Sequence, residues 1–285
     1  RPKDVEDARE LVKGRAAILS KIEKPTAVTS FDEILKVSDG IMVARGDLGV
    51  ELPVQQVPPI QKQLVRRCRR AGKPVIVATQ MLESMITAPV PTRAEVSDVA
   101  AAIYEGADAV MLSGESAAGE YPLEAVRTMN NVAEEVEVDP TFRQIMDASR
   151  AASRDSVAEA ITVAAREVAE TTDIKAICCF SQTGSTALLV ARERPRVPIV
   201  ALTNHIRTAR RLCLTWGTNC VITGPVDRFK EAVIAAVRAA LAQEMVTTDD
   251  MVVVTAGVPF NTPGSTNILR VAPCAERLLY PADPE

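Results

Sequence analysis

Gly40-Ile-Met-Val-Ala-Arg-Gly-Asp-Leu-Gly49 is the stretch from which the fold can be read. Gly40–Ala44 is a run of small or aliphatic residues with no polar alternation, and a charged, glycine-bearing turn follows at once. A non-alternating apolar run suits a parallel strand buried on both faces. The same grammar recurs on either side. Ala16–Ser20 leads into Lys21-Ile-Glu23, Pro74–Ala78 into Thr79-Gln80, and Ala107–Leu112 into Ser113-Gly-Glu115. Helical segments lie between. Phe31–Val37 is short. Val57–Ala71 has Pro58 and Pro59 near its first turn and Gly72 after its last. The capping box Thr92-Arg-Ala-Glu95 opens a helix that ends at Gly106, and Pro122–Val136 is a fourth.

Strand–helix repeats with right-handed crossovers form either an open doubly wound sheet or a closed barrel. Periodicity does not choose between them, but the polar residues do. Barrel enzymes stand their catalytic groups at the C-terminal ends of several strands, and here four successive runs each end in polar residues. The expected fold class is α/β. Residues 1–138 read as half of a (β/α)8 TIM barrel, whose other half is expected upstream of Arg1. Residues 139–285 read as a separate α/β domain with a mostly parallel sheet. The junction falls in the polar stretch 138–154. Beyond it Ser156–Glu170 is helical, and Ile174–Phe180, Pro198–Leu202, Cys220–Ile222, Met251–Thr255 and Leu269–Ala272 are strand-like.

Composition narrows the function classes. The 285 residues are 47% apolar and 25% charged, an ordinary globular balance, and aromatics at 3% leave the cores to aliphatic side chains. A net charge of −4 argues against a nucleic-acid binder. No apolar run approaches a membrane span, and no signal peptide is evident. Six cysteines without CxxC pairing read as buried, reduced thiols of a cytosolic protein, and a single histidine, His205, makes a zinc site improbable.

Lys21 and Glu23 lie two apart on a strand and so share a face. They form either a structural ion pair or the start of a site in which Lys steadies an anion and Glu holds a metal. Asp47 adds a second hard oxygen, and Glu23 with Asp47 suits Mg²⁺ or Mn²⁺ with positions left for substrate oxygens. Gly46 and Gly49 let backbone N–H groups approach an oxyanion. Thr79 ends a strand, where its hydroxyl serves either a substrate or the local backbone. Ser113 and Glu115 are either periphery or loop. In the second domain Ser181-Gln-Thr-Gly-Ser-Thr186, between strand and helix, is either a phosphate cradle or a simple helix cap. Gly257–Asn267 would fall at the same sheet edge and strengthens the first reading.

Ile18-Leu-Ser-Lys-Ile-Glu23 resembles the active-site signature of pyruvate kinases. Ser38–Glu51, Ala78–Glu83, Pro91–Glu95 and Asp108–Glu115 match that family in the same order. The resemblance implies phosphoryl transfer from phosphoenolpyruvate to ADP, giving pyruvate and ATP in glycolysis. Lys21 would neutralise the phosphoryl group in flight, Glu23 and Asp47 would bind the divalent ion, and the backbone near Ala44, Arg45 and Gly46 would face the substrate carboxylate. Thr79 would lie where the enolate is protonated. It implies a homotetramer with a barrel contact near Arg93, a cytoplasmic location, and a sugar-phosphate or nucleotide effector at Ser181, Gln182, Thr183, Gly184, Ser185 and Thr186. In the family the K⁺ site, the phosphate-gripping arginine, much of the nucleotide site and the lid domain lie upstream, so the chain alone is expected to be inactive. Two departures stand out. Lys24-Pro25 follows Glu23, where the family usually has no proline, and the effector loop carries no basic residue. A Mg²⁺-dependent lyase or aldolase barrel and a non-catalytic sensor module are the competing readings.

Overall fold

The structure is a computed structural model and describes residues 1–150, 156–260, 262 and 264–275. Two compact units divide between Ala151 and Ala152. The sequence boundary at 138/139 comes earlier than this division, for a physical reason. Helix formation resumes immediately after residue 138, and the resulting helix packs into the first unit.

In the first unit α1 (Pro2–Val12) precedes β1 (Leu19–Ile22), α2 (Pro25–Thr29) and α3 (Phe31–Val37). Pro25 opens α2 at its first position, so the departure at Lys24-Pro25 becomes a helix start. Then come β2 (Gly40–Ala44), α4 (Arg45–Glu51), α5 (Val57–Ala71), β3 (Val75–Ala78), α6 (Arg93–Tyr104) and β4 (Ala109–Val110). The unit closes with α7 (Gly114–Ala117), α8 (Pro122–Val138) and α9 (Pro140–Ala148). The four strands form one parallel sheet in the order β1-β2-β3-β4. Its apolar residues pack under α3, α5, α6 and α8 through Phe31, Leu64, Val65, Val99 and Met129. Burying one such side chain is worth about 1.5–3 kcal/mol.

Two local devices fix the helix ends. Thr92 Oγ1 accepts from the Glu95 N–H at 3.3 Å, and Glu95 accepts from the Thr92 N–H at 2.8 Å, completing the capping box of α6. Gly72 ends α5 at φ 66°, a conformation that suits glycine. Helix α9 is held by buried Phe142 and Met146, by the Tyr104 hydroxyl on Asp139, and by Arg69, which donates to the Met146 carbonyl at 3.0 Å.

The second unit runs α10 (Val157–Thr171), β5 (Ile174–Phe180), α11 (Ser185–Arg192), β6 (Ile199–Thr203), α12 (Ile206–Leu212), β7 (Thr218–Ile222), α13 (Phe229–Ala242), β8 (Met251–Gly257) and β9 (Thr266–Pro273). The sheet order is β7-β6-β5-β8-β9, parallel except for β9. Alternate residues of β5 face opposite layers. Ala176 and Cys178 pack toward α13, while Ile177 and Cys179 pack toward α10 and α11. The sheet is therefore covered on both faces, as its unbroken apolar strands require. All six cysteines are free thiols. Four are buried as expected, but Cys213 at the end of α12 is exposed and Cys220 only partly covered, because both lie toward the β7 edge. No helix among the described residues is long and apolar enough to cross a membrane.

Candidate active site

The parallel register brings the strand ends together. Lys21 is paired in register with Met42 and Ile22 with Val43, and Ala44 is the register partner of Ala78. Glu23, the Arg45-Gly-Asp47 turn and Thr79 therefore leave the sheet side by side. Lys21 Nζ lies 2.8 Å from Glu23 Oε2 and 2.7 Å from Asp47 Oδ2. All three side chains are about half exposed. Hydrogen bonding to Asp47 first, and then to Glu23, holds the Lys21 ammonium well above the ordinary lysine range, so it stays charged at neutral pH. Asp47 also stands in the first turn of α4, where the helix dipole favours an anion.

Lys21 joins the two carboxylates at one point. Their oxygens are hard donors of the kind Mg²⁺ or Mn²⁺ prefers. No group of three or more His, Cys, Asp or Glu side chains capable of holding a metal occurs among the described residues. A divalent ion here would take these two carboxylates and complete its shell with substrate or water oxygens, and the donor set fits that arrangement.

Thr79 is joined to this group through the turn rather than directly. Its Oγ1 accepts from the Gly46 N–H at 3.3 Å. A Cβ on Gly46 would meet that oxygen at 2.7 Å, so glycine is what allows the approach. Ala44 is buried and caps the start of α4. The Arg45 side chain reaches Asp98 at 2.5 Å and the Thr79 carbonyl at 2.7 Å. Sequence reading missed Asp98, which lies 53 residues from Arg45 and carries no local signal. Glu115 is only 2% exposed and accepts from the Leu82 and Ser113 N–H groups at 3.2 and 2.7 Å. It braces the loops around the site and is not itself presented at the surface.

The second unit gathers its own cavity, of about 70 Å³, at the C-terminal ends of β5, β6, β7 and β8. Ser181, Gln182, Thr183, Ser185 and Thr186 line it, opposite Gly257, Gly264 and Ser265 of the second glycine loop. The loop's Asn261 and Pro263 lie outside the described residues. Gly184 takes φ 85° as the N-cap of α11, and its N–H donates to Ser181 Oγ at 3.0 Å. Thr186 and Thr266 share a buried hydroxyl pair at 2.6 Å, tying α11 to β9. On the loop's outer side Arg211 of α12 donates to the Thr183 carbonyl.

A parallel βα sheet with lysine, paired carboxylates and threonine at one rim, joined in sequence to a two-faced α/β unit, is the arrangement of part of a (β/α) barrel followed by a separate α/β domain. Residues 1–126 match the pattern described as "Pyruvate kinase, barrel domain", and residues 159–272 match "Pyruvate kinase, alpha/beta domain". The chain belongs to the pyruvate kinase family. It is 50% identical to a pyruvate kinase of Methylorubrum extorquens over 95% of this chain and 57% of the relative. It is 48% identical to one of Agrobacterium vitis, over 94% of this chain and 57% of the relative. Against one of Geobacillus stearothermophilus the identity is 46%, over 95% of this chain and 47% of the relative. The chain thus spans about half the length of the curated relatives it matches.

Proposed function

We propose that the protein containing this chain transfers the phosphoryl group of phosphoenolpyruvate to ADP. The P–O bond to the enol oxygen breaks, a P–O bond to the terminal phosphate oxygen of ADP forms, and the enolate carbon then takes a proton to give pyruvate. The convergence of Lys21, Glu23 and Asp47 on one point carries this reading. Phosphoryl transfer depends mainly on positioning and charge stabilisation. A lysine kept charged between two metal-type ligands supplies both. Glu23 and Asp47 would hold Mg²⁺ or Mn²⁺, which when bound neutralises phosphate and enolate oxygens. The backbone of Ala44, Arg45 and Gly46 would face the substrate carboxylate, with Thr79 at the face of protonation.

In this reading the first unit is the catalytic one and the second, from Ala152 onward, is regulatory. The cavity at Ser181–Thr186 would take a sugar-phosphate or nucleotide effector. A K⁺ site outside the chain, a homotetramer and a cytoplasmic location complete the proposal, and the chain alone is expected to be inactive.

The test is pyruvate release from phosphoenolpyruvate by the full-length protein, with and without ADP, in Mg²⁺ and K⁺. Pyruvate formed only with ADP, with one ATP for each pyruvate, is the expected result. Lys21→Met should lower kcat by about a thousandfold or more while Mn²⁺ binding survives, because the lysine acts in the transition state. Release without ADP would point to a lyase instead, and near-normal turnover of Lys21→Met would remove Lys21 from the mechanism.

A further inference from the structure

The Arg45 side chain is 12% exposed, so its charge needs a partner, and Asp98 Oδ1 supplies one at 2.5 Å from Nη1. That contact alone would satisfy the charge. The second branch of the fork does something different. Nη2 donates to the Thr79 carbonyl at 2.7 Å, lies 3.4 Å from the Gln80 carbonyl, and touches Met81 sulfur at 2.8 Å. One nitrogen thus grips three consecutive residues where the chain leaves β3. The cost is visible at Nε, which is buried without a hydrogen-bond partner among the described residues. A buried donor left unpaired is unfavourable and calls for a reason.

Gly46 gives that reason. Its N–H holds the Thr79 hydroxyl while its neighbour Arg45 holds the Thr79 carbonyl. Two successive residues of the β2–α4 turn clamp both polar ends of Thr79. Asp98, on α6 downstream of Thr79, closes the clamp from the other side. Strand pairing already joins β2 to β3 as far as Ala44 and Ala78, so the clamp adds orientation where the ladder stops.

We infer that Arg45, held by Asp98, is a positioning residue that fixes Thr79 at the rim and governs proton delivery more than substrate affinity. The inference rests on the proposed activity and on Thr79's place in it. A lysine cannot reproduce the geometry, because a single ammonium lacks the planar fork that serves two directions at once.

The experiment is Arg45→Lys in the full-length protein. It follows kcat, the KM for phosphoenolpyruvate, thermal midpoint and solvent-deuterium incorporation into the pyruvate methyl group. Turnover and deuterium incorporation should each fall about tenfold or more, with KM changed less than about threefold and the midpoint preserved. Asp98→Asn should show the same selective loss, which keeps the test alive if Arg45→Lys folds poorly. Arg67→Lys, an exposed arginine paired with Asp32 at 3.5 Å, should behave as the parent. Combining Arg45→Lys with Thr79→Ala should give no further loss beyond Thr79→Ala alone, because both act through one group. Parental kcat in Arg45→Lys and Asp98→Asn, independent losses in the double variant, or losses that track only a lowered midpoint would overturn the inference and leave the activity standing. Unchanged turnover and exchange in Thr79→Ala would instead remove Thr79 from the chemistry, and the inference with it.

Discussion

Gly46 shows how narrow the site is at the level of one residue. The Cβ of an alanine would come 2.7 Å from Thr79 Oγ1, closer than nonbonded atoms tolerate. Helix α4 would gain from alanine by about 1 kcal/mol, since glycine is the poorer helix former. Gly46→Ala should therefore keep or raise helicity while pushing the hydroxyl aside. The expected result is a drop in kcat of roughly tenfold with an unchanged far-ultraviolet circular dichroism spectrum. Turnover within about twofold of the parent would show that the hydroxyl's position is immaterial. Lys21 and Glu23 were legible as a pair because a strand's period of two fixes their common face. Asp47 was legible because a glycine turn follows the next strand. Asp98 was not, because nothing near it in the chain tells which residue 53 positions away it will meet.

Among the elements, the long helices were easiest to read. Val57–Ala71 keeps the bounds expected from its prolines and Gly72, and Gly40–Ala44 and Ile174–Phe180 keep theirs. β1 starts later than expected, at Leu19, because Ala16 and Ala17 lie in the connection after α1 and Ile18 N–H goes to Asp39 Oδ2 at 2.7 Å. Helix α9 was missed because Phe142, Ile145 and Met146 make a short amphipathic pattern and no long apolar run. Phe142 and Met146 matter only once α6 is beside them. Lys73 is another long-range device. Its ammonium donates to the carbonyls of Leu35, Lys36 and Ser38 at 2.5, 2.9 and 2.6 Å, closing the C-terminal end of α3. Burial holds its pKa below the ordinary lysine range despite the opposing charge of Asp39. Lys73→Met should cost about 1–3 kcal/mol, because three carbonyls lose a charged donor. Denaturant midpoints of the full-length variant would check this, and equal stability would show that water replaces the ammonium freely.

Over the whole molecule, buried thiols set an alkaline limit. Burial raises the Cys178 thiol well above its usual range and Cys179 to about 12. An unfolded cysteine ionises near pH 8.5. Folded thiols therefore keep protons that unfolded ones release. Stability is complete below about pH 8.5 and declines toward pH 12, by about 1.4 kcal/mol per pH unit for each thiol still protonated in the fold. Trp216, the sole tryptophan, reports on the second unit. Its fluorescence-detected denaturation midpoint should fall from pH 8 to pH 10, and less so in Cys178→Ala/Cys179→Ala. An identical slope in that variant would assign the decline to other groups.

The sheet of the first unit has its own consequence at this scale. β1 and β4 are its outermost strands, and each is paired on one side only among the described residues. The far side of an outer strand offers a row of backbone donors and acceptors to whatever strand arrives. The net charge of −4 does little against such pairing, which is a neutral backbone exchange. Further strands laid against β1 and β4 would take up those groups, and the curved closure of a barrel does so with no margin left over.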